Sequence, residues 1–139
     1  MTTQLASRNA IATSFLALLN RPTGLGGMAT PRVAYEWDKA PKHGGDYVVV
    51  SLSRTFGGNP RVGDHLSPSM WRATTRAVGV GAHNVGVLLD RCTAAVEHVS
   101  ITVGSESSTG VQFESEDDVD EDEHDHTLWS GLRSWTFAF

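Results

Sequence analysis

Carboxylates dominate the chemistry available to this chain. Positions 116–126 read Glu-Asp-Asp-Val-Asp-Glu-Asp-Glu-His-Asp-His, which holds eight of the sixteen acidic residues and neither Lys nor Arg. The formal net charge of −5 therefore hides an asymmetry, because outside the run eleven basic residues face eight acidic ones, a surplus of three. Such a run can hold a cation, repel a polyanion or attract a basic partner. Asp118, Asp120 and Asp122 have the one-three-five spacing of a calcium loop. The sixth position, however, is Glu123 where the sharp turn needs Gly, and the twelfth is Trp129 where a bidentate Glu belongs. His124 and His126, beside Asp122 and Asp125, are ligand types without a spacing that fixes a coordination geometry. The run reads as a solvated, self-repelling loop whose candidate channel- or partner-facing residues are Asp117, Asp118, Asp120, Glu121, Asp122 and Glu123. No metal or other cofactor is expected.

Signatures of catalysis are missing. The sequence contains no Gly-x-Ser-x-Gly elbow, no Gly-x-x-x-x-Gly-Lys phosphate loop and no His-Glu-x-x-His pair. His43, His65, His83 and His98 are scattered outside any nucleophile motif. Cys92 is the single cysteine, which excludes an internal disulfide and a multi-cysteine metal site and fits a reducing compartment. Arg72 and Arg76 share one face of a strand with Thr74 between them. Lys and Arg are too sparse, and too seldom interleaved with aromatics, for a nucleic-acid groove. Docking is the better use, and Arg72 and Arg76 are the candidate inter-subunit cations that meet the acidic loop of a neighbouring copy.

The elements that must position these residues follow from periodicity. Residues 3–20 read as an amphipathic helix, with Leu5, Ile11, Phe15, Leu18 and Leu19 on one stripe and Pro22 ending it. Alternation predicts strands over 32–37, 47–53, 71–78, 99–103 and 134–139, and 111–113 begins another that the acidic run ends. Tyr47-Val-Val-Val50 is nearly continuous in apolarity, the mark of a central strand covered on both sides. A second helix over 82–97 carries Val85, Leu88, Leu89, Cys92 and Val96 on one face. Long polar loops are expected at 54–69 and 105–127. The order implies one domain over 1–139 of the α+β class: one twisted, mainly antiparallel sheet of four to six strands with two helices packed on it. Apolar stretches fall far short of the ~20 residues that cross a bilayer. The first residues show no signal peptide, so no membrane partner is expected.

Several passages in this order resemble a known family. They are the N-terminal helix, Ala40-Pro41 leading to Asp46-Tyr47-Val48-Val49-Val50, the Arg-bearing strand before the 84–97 helix, Leu128-Trp129-Ser130-Gly131, and the closing Trp135-Thr136-Phe137. Together they are similar to the tail terminator proteins of long-tailed, non-contractile bacteriophages, over nearly the whole chain. The resemblance implies a structural virion protein made in the host cytoplasm. Such a protein forms a homo-hexameric ring at the head-proximal end of the tail tube, stops the tube protein from polymerising and offers its other surface to neck and connector proteins. Genomic DNA would pass through it without specific binding. The acid at 116–126 is denser than that family leads one to expect. Another neck or head-completion component is the alternative, and a small metal-binding enzyme using His124 and His126 is a reading from a different class.

Overall fold

Caps and apolar spacing set the two helices. The computed structural model of the chain describes residues 7–41, 45–56, 69–123, 125 and 127–139. Within them helix α1 spans Arg8–Leu19. The Ser7 hydroxyl oxygen accepts from the Ala10 N–H at 3.2 Å, which satisfies one of the donors that a first turn leaves open. Ile11, Phe15 and Leu19 are buried at spacings of four, on the stripe read from the sequence, while Leu5 lies outside the described residues. Helix α2 spans Ala82–Val96 and buries Val85, Leu88, Leu89, Cys92 and Val96. It begins at Gly81, whose φ of 92° lies in the left-handed region that glycine enters without a Cβ clash.

Among the described residues the strands are β1 Ala34–Glu36, β2 Tyr47–Phe56, β3 Met70–Val80, β4 Ser100–Val103, β5 Glu106–Gly110, β6 Gln112–Glu121 and β7 Leu128–Ala138. Five form one sheet in the order β1-β2-β3-β7-β6, and β4 and β5 form a separate two-stranded sheet. β1 runs parallel to β2, and the other pairs of the large sheet are antiparallel. The class expected from the sequence, an α+β fold with a mainly antiparallel sheet and two helices, is the one observed.

Alternation along the strands separates two faces. Trp71, Ala73, Thr75 and Ala77 of β3 are buried. Opposite them in register stand Phe137, Trp135, Arg133 and Gly131 of β7 on one side. On the other side Ala73, Thr75 and Ala77 face Leu52, Val50 and Val48 of β2. Both helices cover this face. Phe15 stacks on Phe137 with ring centroids 6.2 Å apart. Val85 and Leu89 close over Gly131 so tightly that a Cβ there would lie 3.2 Å from each. The indole N–H of the buried Trp135 donates to the Thr75 hydroxyl at 3.2 Å, so the core keeps its polar atom satisfied.

The loops differ from expectation. The loop expected over 54–69 starts later, because β2 reaches Phe56, and residues 57–68 lie outside the described residues. The loop expected over 105–127 is largely strand, since β5 occupies Glu106–Gly110 and β6 carries most of the acidic run. Strand backbone at Asp118 and Asp120 departs from the calcium-loop geometry considered for Asp118, Asp120 and Asp122. A self-repelling sequence forms a strand here because β7 supplies a ladder along its length and because the strand lies at the sheet edge, where carboxylates stay hydrated. Two cations help it: Arg72 Nε lies 2.8 Å from Glu114 Oε1, and Arg133 Nε lies 3.1 Å from Glu116 Oε2. Val119 packs against the core.

Candidate functional site

The sheet face opposite the helices carries the sequence-derived candidates. Arg72 and Arg76 lie on it, with Tyr47, Val49, Ser51 and Ser53 of β2 in register beside Val78, Arg76, Thr74 and Arg72 of β3. From β7 it receives Ser130, Leu132 and Ser134, opposite Val78, Arg76 and Thr74. From β6 it receives Asp117 and Asp120, which pair with Leu132 and Ser130. The fold thus sets the candidate cations and the candidate carboxylates on one surface of a single chain, rather than on two copies that must meet.

The two arginines differ in use. Arg72 is consumed within the chain by its ion pair to Glu114. The sequence reading did not foresee that pair: β6 passes within reach of β3 across β7, and sequence distance concealed this. Arg76 donates to the Ser130 hydroxyl at 3.4 Å and lines a cleft of about 680 Å³ with Asp117, Asp118, Asp120, Glu121, Asp122 and Glu123. All six candidate carboxylates therefore border one space. His124 and His126 lie outside the described residues. Among the described residues no group of three His, Cys, Asp or Glu side chains is arranged to hold a metal ion.

A second hollow of about 240 Å³ adjoins the first and shares Arg76, Asp122 and Ser130 with it. Its apolar lining is Tyr47, Val49, Val78 and Leu128, with Trp37 at the side. Trp37 is 63% exposed, far more than a packed indole. The sequence held a signal for this hollow that was read only in part. Val48, Val49 and Val50 in succession place valine on both faces of β2, although the described helices cover one face alone.

Arg133 went unnoticed in the sequence and organises the acidic edge from the other side. Its side chain is 15% exposed on the helix face of β7, where it lies 3.1 Å from Asp90 Oδ1 of α2 and 3.1 Å from Glu116 Oε2 of β6. Its Nη1 also donates to the Thr93 hydroxyl at 2.7 Å. One guanidinium thus ties helix, central strand and acidic edge together. Burial pushes the nearby Cys92 thiol up to about 12, against a smaller opposing pull from Arg133. An unreactive core thiol results.

Helices on one face and a mixed-charge open face on the other define the architecture, and comparison with known proteins extends it. No family model and no curated protein matches the chain. A solved chain described as the virion of a native gene transfer agent particle shares the fold with a TM-score of 0.63 at 11% identity, over 96% of this chain and 93% of that one. A second solved protein, identified by a sequence number alone, gives a TM-score of 0.70 at 11% identity, over 96% of each chain. At these identities the likeness is one of fold, and it runs through nearly the whole of each molecule.

Proposed function

We propose that this chain is a structural, non-enzymatic protein of a tailed, phage-like virion. In this reading it forms the ring that ends the tail tube at the head-proximal side and joins the tube to the neck. The observation that carries it is the likeness, from end to end of both chains, to a chain of a gene transfer agent virion. The passages shared in order with the tail terminator family add support. A terminator needs two unlike surfaces, one that copies the tube's binding face and one that refuses a further tube layer. The fold offers such a contrast between its helix-covered face and its charged open face. In a hexameric ring the carboxylates of six edges would gather; lining the bore they would repel the phosphate backbone and let DNA slide, and facing outward they would instead meet basic residues of a neck protein and steer docking.

Deleting the gene tests the assignment. Tails of uncontrolled length that fail to join heads are the expected result. Tails of normal length that are merely unattached would assign the chain to the alternative role, a neck or head-completion component.

A further inference from the structure

The open face of the sheet sets an apolar hollow beside an acidic cleft. β2 has the composition of a strand covered on both sides, and the described helices cover one; on the other, Val49 is already buried at 5% exposure while Tyr47 and Val78 stay half-buried. Tyr47, Val49 and Val78 line the hollow left on the other side, with Trp37 standing out beside them. The hollow adjoins the acidic cleft, with which it shares Arg76, Asp122 and Ser130. Apolar floor and acidic wall are therefore one surface, whose anchor and charge lie at a fixed separation.

Charge complementarity decides what can sit there. Among the described residues no cation of this chain lies within ion-pair distance of Asp117, Asp118 or Asp120. A second copy has few to supply: among the described residues only its Arg8, its Arg54 and the Arg76 of its own cleft are in no ion pair and no bond to a backbone carbonyl. Its Arg32 is held by Asp46, its Lys39 by Glu36, its Arg72 by Glu114, and its Arg133 by Asp90 and Glu116. Its Arg21 and Arg91 are spent on the carbonyl oxygens of Ala95 and Gly24. Self-association that used this face on both copies would set acid against acid, which opposes it.

We propose that the open face is a docking site for an extended basic segment of a different protein. That segment seats one large apolar side chain in the hollow between Trp37, Tyr47 and Val78 and lays Lys or Arg along Asp117, Asp118 and Asp120. That the partner belongs to the same particle rests on the function proposed above; the chemistry of the face does not. The apolar anchor supplies the position and the carboxylates supply steering and register.

The test uses the full chain and a labelled synthetic peptide with one leucine followed by lysines at alternate positions, read by fluorescence anisotropy and by amide shifts in NMR spectra. Binding at low salt is expected, with shifts concentrated at Val78, Leu128 and 117–120. Replacing Asp117, Asp118 and Asp120 with Asn should weaken it roughly tenfold, as the loss of three solvent-screened ion pairs. Serine in place of the peptide's leucine should weaken it about fivefold. Val78→Ser should weaken the leucine peptide and leave the serine peptide unchanged, which separates a seated anchor from diffuse attraction. Equal binding of the two peptides, binding indifferent to the Asn changes, or shifts confined to the helices would overturn the proposal. So would self-association of the free protein that the Asn changes abolish, since a second copy would then own the face. Because the assay needs neither tube nor head, its failure is distinct from a failure of the tail-length experiment.

Discussion

Arg133→Met removes the guanidinium that joins α2, β7 and β6 while keeping most of the buried stem. Three bonds are lost, of unequal worth. The bond to the Thr93 hydroxyl, 2.7 Å long and charged at the donor, is the best protected, and such bonds contribute about 1.5–2 kcal/mol. Glu116 is 44% exposed and Asp90 76% exposed, so solvent screening limits their pairs to about 0.5–1 kcal/mol and less than about 0.5 kcal/mol. The expected loss is roughly 2–3 kcal/mol, or about 6–12 °C in Tm for a domain of this size. Chemical denaturation gives the free energy. Amide hydrogen exchange gives the location, and protection should fall most along β6, which loses a tether, and least along β3. The Thr93 bond is part-buried and the carboxylate partners are more exposed, so salt should narrow the gap between wild type and variant only slightly. A variant within about 0.5 kcal/mol of wild type, with β6 protection unchanged, would refute the idea that this side chain orders the acidic edge.

Two further outcomes follow from the core. Phe15→Ala should cost about 3–5 kcal/mol by denaturation, because the ring is fully buried and stacked on Phe137; an unchanged midpoint would show that α1 is not docked as described. The Cys92 thiol, raised from 9.0 to about 12, is protonated in the folded chain at pH values where the unfolded chain has already lost its proton. Its contribution is therefore intact below pH 9.0 and falls as pH climbs toward 12, at about 1.4 kcal/mol per unit. Cys92→Ser titrated alongside should lack that slope, and thiol reagents at pH 8 should leave the native protein unlabelled.

How much was legible depends on the range of the interaction concerned. Helix α2 was readable to within a residue or two because Val85, Leu88, Leu89, Cys92 and Val96 repeat with the helix's own period, a local property. β3 was readable because Trp71, Ala73, Thr75 and Ala77 alternate with polar neighbours. The span 112–121 was misread because a run of like charges suits both a solvated loop and a hydrated edge strand, and only the partner strand distinguishes them. Arg72 is legible on its strand and face, but its pair with Glu114 is not, since Glu114 is far along the chain and two strands away in the sheet.

The sequence by itself determined the helices, most of β2 and β3, the inward stripe of each and the concentration of acid in one stretch, while β7 begins at Leu128, six residues before the strand expected over 134–139. Those features rest on the spacing of neighbouring side chains, which a helix or strand converts directly into faces. The tertiary structure alone decided that the acidic stretch is the sheet's outer strand, that Arg72 and Arg133 brace it, and that Arg76 and the carboxylates share a cleft beside an apolar hollow. Each of those depends on which strands pair and in what register, a choice made by contacts between residues distant in the chain that no local pattern encodes.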